Sequence, residues 1–254
     1  PHTPVSGAKL PSGRALFTSG GEVFLFEACE YRNSFLSMSP TAAVITNIEF
    51  DHPDFFRDEE HFYSSFETWA MSARDLLLVG EGKYSARLSS KVGKRAYVYG
   101  ESGDCDFSYS EVEFSDTGTD FSFNIGEKTE GRFHISALGL HNVKNAAAAL
   151  SYAALSGIPM EAVRSALSGF RGIGRRLELL GYIADRAVYY DYAHHPTEIV
   201  CTLDTLKRYF GKVTAIFRPH TYSRTAALFG EFRDARARAD RACGGDRGTN
   251  RSGS

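Results

Sequence analysis

Several stretches of this chain hold residue types that could act on a phosphate or a metal. Glu27 closes an apolar run, Val23–Phe26, and is followed by Ala28-Cys29-Glu30. A second run, Ala42–Ile45, ends in Thr46-Asn47-Ile48-Glu49-Phe50-Asp51-His52-Pro53-Asp54, which packs several acceptors and an imidazole into a few residues. Oxygen donors of that kind suit a hard cation such as Mg²⁺. Either segment could equally be a solvated strand end. Two in succession, on what should be one edge of a sheet, favour a ligand site, because open α/β sheets bind there. Farther on, Asp191-Tyr192-Ala193-His194-His195-Pro196-Thr197-Glu198 follows a third run, Ala187–Tyr190, and Arg218-Pro219-His220-Thr221-Tyr222-Ser223-Arg224-Thr225 follows a fourth, Val213–Phe217. Adjacent histidines point apart, so the pair suggests a ligand-facing loop rather than a shared metal. Gly174-Arg175-Arg176 offers guanidinium forks that suit phosphate, though an arginine pair is also an ordinary surface feature. His141-Asn142 opens an alanine-rich helix, where asparagine is first of all a cap.

The elements needed to hold these residues are legible. Val23–Phe26, Ala42–Ile45, Leu76–Val79 and Ala96–Tyr99 read as short buried strands. Between them Phe62, Phe66 and Trp69 recur at helical spacing behind Asp58, Glu59 and Glu60 in a first turn. That alternation predicts βαβ units and a largely parallel sheet. Residues 104–137 alternate apolar with polar, as in Phe121/Phe123 and Phe133/Ile135, and predict an antiparallel portion. Helices are expected over Asn145–Leu155, Met160–Leu167 and about Pro196–Tyr209. Ala187–Tyr190 and Val213–Phe217 should flank the last of these as a further βαβ unit, with a domain boundary near Gly172–Arg176. Residues 235–254 contain no aliphatic side chain larger than alanine, are rich in Arg and Gly, and are expected to be disordered.

Composition bounds the function. The chain has 254 residues, 43% of them hydrophobic, with 29 Lys+Arg against 31 Asp+Glu and a formal net charge of −2. That length suits one large or two smaller domains. The balance of charge argues against a nucleic-acid or membrane-surface protein that relies on a basic field. No apolar run approaches the ~20 residues that span a bilayer. Cys29, Cys105, Cys201 and Cys243 lack CxxC spacing, so neither a zinc cluster nor a disulfide scaffold is suggested. The chain reads as soluble, cytoplasmic and mixed α/β.

Taken in order, EACEYRNSFL (27–36), TNIEFDHPD (46–54), GLHNVKN (139–145), GIGRRL (172–177), DYAHHPTE (191–198) and RPHTYSRT (218–225) resemble the Mur ligases over about residues 5–232. Folylpolyglutamate synthases share only the coarser plan. The resemblance implies a central ATPase-type α/β domain with a small antiparallel portion over 1–173, an incomplete Rossmann-like C-terminal domain over 174–232, and a tail over 233–254. It implies an ATP-dependent, ADP-forming amide ligase of peptidoglycan synthesis, with ATP, L-alanine and UDP-N-acetylmuramate as small-molecule substrates and Mg²⁺ at the phosphates. By motif position Glu27 and His52 match the family's Mg²⁺ ligands. His141, Asn142 and Asn145 fall at the adenine, Arg175 at the phosphates and Asp191 at the ribose. Tyr192, His194, His195, His220 and Arg224 fall near the amino acid and the sugar nucleotide, with Arg175, His194 and His195 the candidates for catalysis.

There are departures. The family's N-terminal domain and its GxxGK[ST]T phosphate loop are not in the sequence. GEGKYS (80–85) and VGKR (92–95) lack a Ser or Thr directly after Lys and lie too late in the chain. Leu140 stands where the family has arginine. The expectation is a truncated chain that does not turn over ATP alone, its end a shifted frame or added sequence. The alternatives are a non-catalytic binding protein that keeps the cleft, and a related ligase that attaches recovered peptides to the same sugar nucleotide.

Overall fold

The computed structural model describes residues 2–5, 23–115, 117–219 and 222–244. The chain forms two compact units, Pro1–Asp191 and Tyr192–Ser254. The division falls later than the 173/174 boundary expected, because an antiparallel hairpin, β9 (Glu178–Ile183) with β10 (Arg186–Tyr190), is counted with the first unit.

The first unit is built on a six-stranded sheet in the order β3 (Ala42–Ile45), β4 (Leu76–Gly80), β5 (Ala96–Gly100), β6 (Phe107–Ser115), β7 (Gly118–Ile125) and β8 (Lys128–Ile135). Neighbours are parallel from β3 to β6 and antiparallel from β6 to β8. The parallel and antiparallel portions read from the sequence are thus one mixed sheet. α1 (Glu59–Ser72) is capped by the Asp58 side chain, which accepts the His61 N–H at 2.7 Å. α2 (Ser85–Val92), α3 (Leu140–Leu155) and α4 (Met160–Ser168) complete the unit's α-helices among the described residues.

The Leu-Leu-Leu-Val run of β4 is apolar without alternation because both faces are covered. Leu77 and Val79 pack with Phe35, Tyr63, Trp69 and Leu88 on the α1/α2 side. Leu78 packs with Phe107, Phe121, Phe133 and the Val143 and Leu150 face of α3 on the other. The close helix contact uses Ala146, Ala147 and Ala148, whose small side chains let α3 lie near the sheet.

Several expectations are corrected. β2 (Val23–Phe26) is a strand but not a buried one: it pairs in parallel with β1 (His2–Val5) outside the six-stranded sheet, and Phe24 is 61% exposed. The alanine-rich helix starts at Leu140, five residues before the expected Asn145, because Gly139 at φ 95° turns the chain directly into it. β10, read from the sequence as part of a βαβ unit across 187–217, forms an antiparallel hairpin with β9.

In the second unit α5 (Pro196–Phe210) precedes β11 (Thr214–Phe217), followed by α6 (Tyr222–Ala227), α7 (Phe229–Arg236) and β12 (Arg241–Gly244). β11 and β12 pair in parallel, and Ile199, Leu203, Val213, Phe232 and Ala235 form a small core. The segment expected to be disordered therefore holds the end of a helix and a strand up to Gly244. Ala235 is buried beside Phe232 one turn away, and a ladder of backbone hydrogen bonds needs no aliphatic side chain. Residues 245–254 lie outside the described residues. No helix among the described residues is long and apolar enough to cross a membrane.

Candidate nucleotide and metal site

The loops after β2 and β3 meet through side chains. Glu30 Oε1 lies 3.1 Å from His52 Nε2, with Asp51 Oδ2 at 3.7 Å from the same nitrogen. The Tyr31 ring sits 4.6 Å from the His52 ring, and its hydroxyl donates to Asp54 Oδ2 at 2.9 Å. His52 adopts φ 57°, held by Asp51 Oδ1 on its N–H and by the Phe55 and Phe56 N–H groups on its carbonyl. Arg32 and Asn33 are also left-handed, at φ 54° and 57°, turning the chain sharply behind Glu30. The hydrogen bond from His52 holds the Glu30 carboxyl below the usual carboxylate range, against the opposing effect of burial. Glu30 is thus the carboxylate hydrogen-bonded to His52, whereas Glu27, the residue favoured from the sequence, is exposed at the end of β2. A pairing across 22 positions leaves no local spacing from which to find it.

Beside these loops the ends of β3 and β4 leave a cavity of ≈ 70 Å³ lined by Asn47, Ile48, Gly80, Glu81, Lys83 and Tyr84. The GEGKYS string is therefore a strand-to-helix turn at the sheet's ligand edge. Its Lys83 Nζ is bonded to Glu59 at 2.6 Å, and its Gly82 N–H points to Ser85 Oγ at 3.3 Å.

At the start of α3, His141 and Asn142 are half-buried and Asn145 is exposed. Asn142 is not the helix cap expected of it. Its Nδ2 donates backwards to the Leu138 carbonyl at 2.8 Å and lies 3.2 Å from His141 Nε2. His141 and Asn145, four residues apart, share a helix face. Arg175 is exposed and left-handed at φ 64°, its N–H on Glu178 Oε2 at 2.7 Å. Asp191 Oδ2 accepts the N–H of Leu177 at 2.9 Å, tying the two ends of the hairpin together.

In the second unit, Glu198 Oε2 accepts the N–H groups of His194 (2.8 Å) and His195 (3.2 Å). His195 is the N-cap of α5, its Nδ1 facing the Thr197 N–H at 3.4 Å, and is 8% exposed. His194 Nδ1 lies 2.9 Å from the Tyr192 carbonyl, and the Tyr192 ring 5.1 Å from the His194 ring. The sequence reading missed Glu198 as an organiser of this loop, although a Glu three residues after a cap position signals such a box. Arg224 is buried in α6, and His220 lies outside the described residues.

Residues 8–153, more than half of the chain, match the family profile of the Mur ligase middle domain. The chain belongs to the Mur ligase family. Residues 175–248 match the Mur ligase glutamate ligase domain. The UDP-N-acetylmuramate–L-alanine ligase of Streptococcus mutans is 39% identical over 233 residues, covering 90% of this chain and 50% of that protein. That of Ligilactobacillus salivarius is 35% identical over 227 residues, 88% of this chain and 51% of its own. The crystal structure of the UDP-N-acetylmuramate–alanine ligase of Thermotoga maritima superposes with a TM-score of 0.79 at 25% identity, covering 96% of this chain and 54% of that one. A murein peptide ligase from Psychrobacter arcticus gives 0.61 at 25% identity, over 91% and 51%. This Mur ligase chain spans about half the length of the curated relatives it matches.

Carboxylates and an imidazole, the donor types at these loops, are ones a hard cation can take. Among the described residues no group of three or more His, Cys, Asp or Glu is arranged to hold a metal ion by itself. Mg²⁺ at a nucleotide needs no such cage, since one or two protein ligands, phosphate oxygens and water complete its shell.

Proposed function

We propose that this chain supplies the middle domain and part of the C-terminal domain of a cytoplasmic, ATP-dependent ligase that joins L-alanine to the carboxylate of UDP-N-acetylmuramate in peptidoglycan synthesis. The observation that carries this reading is the 39% identity to the Streptococcus mutans ligase, which runs through both domains rather than one. In such a ligase the terminal phosphoryl group of ATP passes to the substrate carboxylate, breaking the bond to ADP. The amine then attacks the acyl phosphate, forming the amide and releasing phosphate and a proton. Mg²⁺, when bound, screens the charge on the phosphates.

The chain's own residues fall into roles around that chemistry. Glu27 and His52 hold the cation, with Glu30 against His52. His141, Asn142 and Asn145 meet the adenine; His141 and Asn145 offer polar groups from one helix face. Arg175, exposed at a left-handed turn position, offers a guanidinium fork for the phosphates. Asp191 holds the ribose; a carboxylate has acceptor capacity for a hydroxyl as well as for the Leu177 N–H. Tyr192, His194, His195, His220 and Arg224 orient the amino acid and the sugar nucleotide, with Glu198 setting the histidine loop. The curated relatives at 39% and 35% identity are both UDP-N-acetylmuramate–L-alanine ligases, which supports this reading over the murein peptide ligase.

The test replaces the matching segment of the Streptococcus mutans ligase by residues 23–219. The hybrid is expected to release ADP only with both L-alanine and UDP-N-acetylmuramate present. The isolated chain, whose sequence holds no GxxGK[ST]T, is expected to release none above background. A folded hybrid that ignores L-alanine, or that requires a peptide amine, refutes the proposal.

A further inference from the structure

Near the end of β5, Tyr99 carries a hydroxyl that the fold leaves unused. The residue is 2% exposed, its ring fixed among Leu78, Phe107 and Val143 on the α3 side of the sheet. Its hydroxyl makes no hydrogen bond to any described residue, and burial, with Tyr109 nearby, holds it well above the ordinary phenol pKa. It therefore keeps its proton and remains a donor. A phenylalanine would fill the same space without the cost of burying an unsatisfied polar group.

The hydroxyl leans over the neighbouring strand toward the loop that carries His52. Tyr99 pairs with Gly80 of β4. A Cβ on Gly80 would stand 3.2 Å from the Tyr99 oxygen and closer still to the carbonyl oxygen of Thr46, the first residue beyond β3. Donor and acceptor thus face one bare position, and no hydrogen bond joins them. Their freedom differs. Tyr99 is locked in a core, whereas Thr46 and Asn47 are exposed, and their side chains bond only to each other among the described residues, at 3.3 Å. Asn47 and Ile48 also line the ≈ 70 Å³ cavity with Gly80 and Glu81. A group that enters the cavity meets the backbone segment whose carbonyl faces Tyr99.

We propose that Tyr99 is the positioning residue of the Thr46–His52 loop: when a nucleotide occupies this edge, Thr46 shifts and its carbonyl accepts the Tyr99 O–H, fixing the loop at its root. This rests on the reading of the edge as a nucleotide site. A shift of at most about 3 Å brings the two oxygens to the ~2.7 Å of an O–H···O bond. The bond forms only in the occupied state, so it strengthens binding and adds nothing to the stability of the empty chain.

The experiment compares wild type with Tyr99→Phe, empty and then with Mg²⁺·ATP as the probe, in the full chain and in the hybrid described above. Empty, Tyr99→Phe is expected to melt at or above the wild-type temperature, because no bond is lost. With Mg²⁺·ATP, wild type should gain hydrogen-exchange protection at the amides of residues 46–52. Tyr99→Phe should lose that gain and bind about 2- to 12-fold more weakly, the contribution of one hydrogen bond. A lower melting temperature for the empty variant means that the hydroxyl is already bonded, and overturns the proposal. So does an affinity equal to wild type, or weaker binding with the loop still protected. Binding by wild type without protection of residues 46–52 overturns the loop movement and leaves the nucleotide reading standing. No binding by wild type in either protein overturns that reading and this inference with it.

Discussion

Replacing Gly80 by alanine should loosen the floor of the candidate site, and the size of the effect follows from two distances. A Cβ on Gly80 would fall 2.2 Å from the Thr46 carbonyl oxygen and 3.2 Å from the Tyr99 hydroxyl. Real Cβ atoms essentially never approach closer than 3.0 Å, so something must retreat by most of an ångström. The obstructing atom is backbone, just beyond the Ile45↔Val79 pair of two parallel strands, and no flexible side chain can yield in its place. Overpacking of this kind costs about 1–3 kcal/mol, and a backbone obstacle puts the expected value near 2. For a chain of about 150–250 residues each kcal/mol moves the melting temperature by about 2–4 °C, giving a loss of about 4–8 °C. Gly82, two residues on in the same turn, is the internal control. Its Cβ would meet nothing nearer than the Gly80 oxygen at 4.0 Å, so Gly82→Ala should be neutral or stabilise by about 0.4–1 kcal/mol through the unfolded chain. Thermal unfolding followed by circular dichroism separates the two variants. Equal melting temperatures for Gly80→Ala and Gly82→Ala would refute the steric argument.

Two further outcomes are expected. Glu198→Ala strips the acceptor from the N–H groups of His194 and His195 and opens the capping box of α5. It should cost about 0.5–2 kcal/mol in denaturant unfolding of the second unit, and an unchanged midpoint would mean the box contributes nothing. Burial, helped by the nearby Glu81, Asp106 and Asp104 charges, pushes the Cys105 thiol up to about 11. A raised pKa means less thiolate at any lower pH, so at about pH 8 maleimide should modify the exposed Cys29 well before Cys105. Peptide mapping that finds both labelled at one rate in the native protein would contradict that burial.

Most of the first unit could be read from the sequence because its signals are local. The run of β4 and the Phe62/Phe66/Trp69 spacing of α1 report burial directly, whereas Val44 of the β3 run is 39% exposed. β2 had the same apolar signature yet lies exposed in a separate two-stranded sheet, since composition does not say which sheet a strand joins. β11 was found as a strand, but its partner β12, Arg-Ala-Cys-Gly, carries no strand signal at all. The site divides in the same way. His52, Asp191 and the two histidines were marked by unusual residue types in order along the chain. Glu30 and Glu198 were not, because each acts through a bond to a group whose position only the folded chain supplies.

β4 contributes to two apolar cores at once, one through Leu77 and Val79 and the other through Leu78. A strand shared in this way is a party wall. Neither room can be taken down without exposing the other side of the same wall, so the two cores should open as a single cooperative event. The amides of Leu77, Leu78 and Val79 then belong with the slowest to exchange in the first unit. The Gly80 turn, which continues that wall to the ligand edge, inherits its stiffness from both rooms.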